Sequence, residues 1–159
     1  MKNKIELFDT KSRQLQPLVS SDGEKLRVYS CGPTVYRDAH VGNMRTFLLG
    51  DLITRLAKFA GYKVEFIQNI TDVGHMSEDF VEDKMLAQAK AESKDPFEIA
   101  RIYEKRFHED LNKLNIIPAD SYPKASECIN LMQDLIQKLI DTDHAYLGTD
   151  NCIYFSAQS

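Results

Sequence analysis

The chain of 159 residues is poor in several things that would otherwise decide its class. It has no apolar run near the roughly 20 residues a membrane span needs, and Met1-Lys2-Asn3-Lys4 leads into no signal-peptide core, so no membrane partner is expected and the cytoplasm is the expected compartment. It has three cysteines, Cys31, Cys128 and Cys152, scattered and odd in number, which argues against a disulfide framework. It has no excess of positive charge. The formal net charge is −4, which gives no support to a broad nucleic-acid footprint. Internal repeats and low-complexity tracts are also missing. What remains is 43% hydrophobic and 28% charged residues, the balance of a folded globular chain with one respectable core.

The informative stretch runs from Tyr29 to Arg45. Leu26 and Val28 alternate with Arg27 and Tyr29 as in a strand, and Gly32-Pro33 stops it. From Met44 onward Leu48, Leu52, Leu56 and Phe59 recur at helical spacing, so a helix is expected from about Val41 to Ala60. Gly61 suits the left-handed residue that ends helices. Val64 to Ile70 reads as a second strand, and strand, helix, strand in one stretch argues for a parallel βαβ unit. Both conspicuous loops, Cys31 to Gly42 and Thr71 to His75, then fall beyond the strands' carboxyl ends, where ligands bind in such sheets. The mouth of the helix is expected to offer open backbone N–H groups to a phosphate, with Gly42 allowing close approach. His40 and Asn43 add side-chain donors.

Cys31-Gly32-Pro33-Thr34-Val35-Tyr36, His40-Val41-Gly42-Asn43, Gly61-Tyr62 and Asn69-Ile70-Thr71-Asp72-Val73-Gly74-His75 resemble cysteinyl-tRNA synthetases in order and spacing. The second of these looks like the HIGH signature of class I aminoacyl-tRNA synthetases, with Asn43 in place of the last histidine. The resemblance implies an α/β fold, the first half of a Rossmann-type parallel sheet, over residues 1–120 with an N-terminal extension. It implies that residues 121–159 begin a connective insertion of a helix plus a hairpin. It implies ATP-dependent activation of L-cysteine to cysteinyl-adenylate and transfer to tRNA(Cys), with ATP as substrate and Mg2+ and Zn2+ as metals. By that resemblance His40 and Asn43 are catalytic, and His40, Gly42 and Asn43 bind ATP. Cys31, Gly32, Thr34 and Thr71 bind cysteine, with Cys31 a zinc ligand. Zinc favours thiolate, which would let the site reject serine at the binding step.

Each of these residues also has a plainer reading. Cys31 can be a small hydrophobe at a strand end, His40 a helix cap, and the Gly-Pro-Thr and Asn-Ile-Thr-Asp stretches ordinary turns. The family's other zinc ligands, its Lys-Met-Ser-Lys-type loop and its tRNA-reading helical domain have no counterpart here, and Asp83-Lys84-Met85-Leu86 is no substitute. The chain is therefore expected to be a fragment or truncated form, inactive alone, whose tRNA contacts lie mostly elsewhere. Three alternatives stay open: a ligase joining cysteine to a small amine, a general HxGH nucleotidyltransferase, and a non-catalytic synthetase-derived module.

The remaining elements read plainly. Two short extended pieces flank Asp9 to Arg13, and Asp79 to Ala91 is weakly helical. Asp95-Pro96-Phe97-Glu98 is a strong helix start, followed by Ile99, Tyr103, Phe107, Leu111 and Leu114 on one face. Pro118 to Pro123 reads as a loop. Ile129, Met132, Ile136, Leu139 and Ile140 mark another helix, and Gly148 to Asn151 a hairpin turn. His108 is expected to be solvated, His144 to sit in a turn, and His75 to lie beside the site without an assigned role. Cys128 and Cys152 read as structural.

Overall fold

The structure is a computed structural model that describes residues 5–21, 23–74 and 84–157. His75 and the first residues of the 79–91 stretch lie outside the described residues. Two compact units divide the chain, Met1–Lys124 and Ala125–Ser159.

The first unit opens with an antiparallel pair, β1 (Glu6–Asp9) and β2 (Gln14–Pro17), joined through the polar turn read from the sequence. Tyr62 Oη donates to the Leu18 carbonyl at 3.1 Å, tying this hairpin's exit to the rest of the unit. Then come β3 (Lys25–Ser30), helix α1 (Val41–Phe59) and β4 (Lys63–Gln68), with β3 and β4 parallel in the register Lys25↔Lys63 to Ser30↔Gln68. The βαβ expectation holds in these described elements. Gly61 takes φ +87°, and the N–H groups of Gly61 and Tyr62 close on the carbonyls of Lys58 and Ala57 at 3.0 Å each. That double closure is the Schellman stop, and it needs a residue with no Cβ penalty.

Helix α1 takes the expected span, but the leucines that mark it are not the residues it buries. The side chains it buries are Phe47, Asp51, Thr54 and Ala57, together with Gly50, whereas Leu48, Leu49, Leu52, Leu56 and Phe59 are exposed. The reason is close approach. A Cβ on Gly50 would lie 3.2 Å from Ser30 Cβ and 3.3 Å from Phe66 Cζ, so the helix meets the strands through its small residues. Asp51 makes a second anchor. Its two oxygens accept from Ile117 N–H at 2.8 Å and Arg55 Nε at 2.7 Å.

The loop expected over Pro118 to Pro123 is also more ordered than a loop. Ser121 and Lys124 form parallel bridges to Ile67 and Ile70, so this segment runs along the free edge of β4. Asp120 N–H donates to the Phe66 carbonyl at 2.8 Å, and its Oδ2 accepts from Phe66 N–H at 2.7 Å. The proline-rich sequence hides an edge rung, because only alternate backbone groups face β4.

Two further helices, α2 (Lys84–Glu92) and α3 (Pro96–Lys113), complete the unit. Asp95 caps α3 by accepting from Phe97 and Glu98 N–H, with Pro96 at the first position. Ile99, Ala100, Phe107 and Leu111 are buried. Ala100 joins a cluster with Val35 and Ile70, and Phe107 and Leu111 join one with Phe47 and Ile116, both touched by Tyr122. His108 is not simply solvated. It is half-buried with its ring edge-on to Tyr122 at 4.7 Å, and that burial holds its pKa below the usual histidine value.

The second unit has a short 3-10 turn (Ser126–Cys128), helix α4 (Ile129–Asp141) and the hairpin of β5 (Ala145–Leu147) and β6 (Ile153–Phe155) expected from the sequence. His144 sits in the turn that ends α4, its N–H on the Leu139 carbonyl at 2.8 Å. None of the described helices is long and apolar enough to cross a membrane.

Candidate active site

The sequence pattern puts two loops beyond the ends of β3 and β4, and the structure stitches them together. Thr34 and Thr71 form a parallel bridge, with Val35 N–H donating to the Thr71 carbonyl at 3.1 Å and Thr71 N–H to the Pro33 carbonyl at 3.0 Å. Gly32 is placed where nothing larger fits: a Cβ there would come within 1.6 Å of the Asn69 carbonyl oxygen. Gly32 N–H donates to Asn69 Oδ1 at 3.0 Å, and Tyr29 Oη donates to the same oxygen at 2.8 Å. Buried Gln68 donates from Nε2 to the Cys31 carbonyl at 3.3 Å. The Cys31 backbone is thus held while its side chain is exposed.

The mouth of α1 is closed differently from the open phosphate cradle the sequence suggests. His40 is the residue before the helix, and its Nδ1 accepts from Gly42 N–H at 3.0 Å. Asn43 Oδ1 returns the bond by accepting from His40 N–H at 3.1 Å. The flat group that uses the missing Cβ of Gly42 is the imidazole of His40 itself, since a Cβ would sit 2.9 Å from Cε1. Because a backbone N–H can only donate, Nδ1 is the acceptor and the neutral ring carries its proton on Nε2. Both His40 and Asn43 are exposed, and among the described residues His40 Nε2 and Asn43 Nδ2 have no partner. Two side-chain donors therefore stand ready at a helix N-terminus, where the aligned peptide dipoles favour an anion.

A cleft of about 240 Å³ lies between these parts, lined by Pro33, Thr34, Tyr36, Arg37, Asp38, Ala39 and Asn43. Of the residues expected in the site, Thr34 and Asn43 line it, and Thr71 is one bridge away. Asp38 on its wall is fixed by Arg106 of α3, whose Nη1 donates to both carboxylate oxygens at 3.0 and 3.3 Å. Cys31, Gly32, His40 and Gly42 do not line this cleft. Asn69, Gln68 and Arg106 are the positioning residues that sequence reasoning left without a role. Asn69 opens the quoted Asn-Ile-Thr-Asp stretch, which was the available signal, whereas nothing local marks Arg106.

A zinc ion needs a convergent ligand set. Among the described residues no group of three or more His, Cys, Asp and Glu could hold a metal. Cys31 supplies one exposed thiol and does not make a site with its described neighbours.

The described residues thus form an α/β arrangement in which the ends of two parallel strands meet a capped helix mouth across one cleft, the general position of ligand sites in open parallel sheets. The family described as tRNA synthetases class I (C) catalytic domain matches residues 17–159. The chain is 41% identical over 157 residues to a cysteine–tRNA ligase of Chlamydia caviae, covering 99% of this chain and 31% of the relative. It is 38% identical over 163 residues to that of Salinibacter ruber (98% and 31%), and 42% over 152 residues to that of Chlamydia felis (96% and 30%). The chain belongs to the class I (C) tRNA synthetase catalytic-domain family. It spans about a third of the length of these relatives.

Proposed function

We propose that this chain supplies the nucleotide- and cysteine-binding face of a cysteine–tRNA ligase. In the reaction, a carboxylate oxygen of L-cysteine attacks the α-phosphorus of ATP, pyrophosphate leaves with the bonding pair, and cysteinyl-adenylate forms. A terminal ribose hydroxyl of tRNA(Cys) then attacks the acyl carbon and AMP departs. His40 Nε2–H and Asn43 Nδ2–H would donate to the phosphate as its charge grows, Gly42 keeping the imidazole in place. Gly32, Thr34 and Thr71 would shape the amino-acid pocket.

The observation that carries this reading is that Thr34, from the amino-acid half, and Asn43, from the nucleotide half, line the same cleft. Holding two reactants at such a junction is how a site of this kind gains most of its rate. Residues 1–120 would be an N-terminal extension and the first half of a Rossmann-type sheet, and residues 121–159 the start of a connective insertion. Mg2+ would accompany ATP. Cys31 would be one zinc ligand, completed from outside the described residues. The compartment would be the cytoplasm.

Cysteine-dependent exchange of pyrophosphate into ATP, measured on the whole protein carrying this chain, is the test. Exchange with cysteine but not with serine supports the ligase. Exchange that no amino acid stimulates overturns it. Transfer to tRNA, followed on the same preparation, separates this reading from a ligase that uses a small amine.

A further inference from the structure

Asn69 lies between the two halves of the amino-acid pocket and touches both. The identity of its two amide atoms follows from the network. Gly32 N–H can only donate, so the atom 3.0 Å from it is the oxygen, and Tyr29 Oη at 2.8 Å donates to that oxygen too. The nitrogen then faces Thr71 Oγ1 at 3.3 Å. An amide nitrogen can only donate, so Thr71 Oγ1 is the acceptor and its own proton is engaged by no described residue. One side chain thereby does two things. It holds the backbone of the Cys31-Gly32 turn, and it sets the polarity of the Thr71 hydroxyl.

We propose that Asn69 is a positioning residue for the amino-acid substrate, acting through Thr71, which it makes a hydrogen-bond donor to an oxygen acceptor of the bound ligand. The inference rests on the ligase reading for the identity of that ligand as an amino acid. Asn69→Asp isolates the second role. The carboxylate keeps an oxygen for Gly32 N–H and Tyr29 Oη, but turns the other atom from donor to acceptor. The Thr71 hydroxyl would then donate to that carboxylate and be lost to the substrate. Asn69→Ala removes both roles.

Two measurements test this. The first is amide hydrogen exchange at Gly32 in the 159-residue chain. Asn69→Ala should speed it by on the order of tenfold, and Asn69→Asp should leave it close to the unmodified chain. The second is cysteine-dependent pyrophosphate exchange by the whole protein carrying this chain. Asn69→Asp should raise the KM for cysteine by on the order of tenfold with a smaller change in kcat. Combining it with Thr71→Val should cost no more than Thr71→Val alone, because both changes remove one donor. Additive losses in that double variant, or Gly32 exchange unmoved by Asn69→Ala, would overturn the proposal. If the unmodified protein shows no cysteine-dependent exchange, the ligase reading fails, and the Gly32 amide still decides whether Asn69 holds the turn.

Discussion

Asn43 Oδ1 accepts the backbone N–H of His40 at 3.1 Å while His40 Nδ1 accepts from Gly42 N–H at 3.0 Å, so the two residues cap one helix reciprocally. The arrangement has the logic of a capping box, with histidine and asparagine standing where serine or threonine and glutamate are usual. Its chemical result is a fixed ring with Nε2–H outward. His40 is thus both the plain helix cap and the candidate donor, and the two readings are one structure.

The consequence for substitution is a split between the two residues. His40→Ala should cost about 0.5–2 kcal/mol of stability as a lost cap. It should cost a further 2.7–4 kcal/mol or so in the adenylation transition state as a lost donor, with little change in ATP binding. Asn43→Asp keeps the oxygen that accepts from His40 N–H but removes the Nδ2 donor, so it should hold the Tm and lower kcat. Thermal unfolding and pyrophosphate exchange on the whole protein check both. Equal rates for His40→Ala and the unmodified protein would return His40 to a purely structural role.

Gly42→Ala separates stability from function more sharply. Alanine favours a helix over glycine by up to about 1 kcal/mol, which offsets a lost cap of similar size. Its Cβ would come 2.9 Å from His40 Cε1 and 3.0 Å from Nδ1, so the ring has to swing away. The expected outcome is a Tm within a few degrees of the unmodified protein and a fall in exchange rate close to that of His40→Ala. A variant that keeps full exchange would show that the orientation of His40 is unimportant.

Much of the scaffold was legible because its signals are local. The Gly61 stop, the Asp95-Pro96 start and the two short hairpins each follow from a few adjacent residues with fixed backbone preferences. What failed depends on distant partners. Leu48, Leu52, Leu56 and Phe59 announce a helix but not the face it buries, since Gly50, Thr54 and Ala57 on another side allow closer contact with the strands. His108 looks solvated among Glu104, Lys105 and Glu109, yet Tyr122 covers its ring. Of the cleft's lining, Thr34 and Asn43 were expected from the motif, whereas the bonds of Asn69 and the pairing of Arg106 with Asp38 were not.

Acid should loosen the contact between α2 and α3 at a definite place. Lys94 first, then Gln88 and Tyr103, bond the Glu92 carboxylate and hold its pKa down from 4.5 to about 2. A depressed carboxylate stabilises the folded state above its unfolded pKa and loses that contribution as pH falls through the folded one. The window is therefore from about pH 4.5 down to about 2. Other lowered carboxylates titrate nearby, so the informative quantity is a difference. Glu92→Gln should flatten the loss of stability across that window relative to the unmodified chain, as read by denaturant midpoints at each pH. Parallel curves would show that Glu92 is ordinary in solution.

The 159-residue chain alone should neither form cysteinyl-adenylate at a useful rate nor retain zinc. One thiolate cannot build a tetrahedral site, and Cys31 has no described companions that would complete one. Structural zinc is held by about 10–16 kcal/mol only when the ligand set is full, so a single ligand keeps a small part of that. Weak ATP binding is still expected, because the subsite at the α1 mouth is local to this chain. The expected result is weak, saturable ATP binding by calorimetry, no cysteine-dependent pyrophosphate exchange, and zinc well below one equivalent after dialysis. In the whole protein Cys31→Ser should then lower zinc content and narrow the preference for cysteine over serine. Stoichiometric zinc and robust exchange from residues 1–159 would mean that this chain assembles the site unaided. Unchanged zinc in Cys31→Ser would make that cysteine no more than the end of a strand.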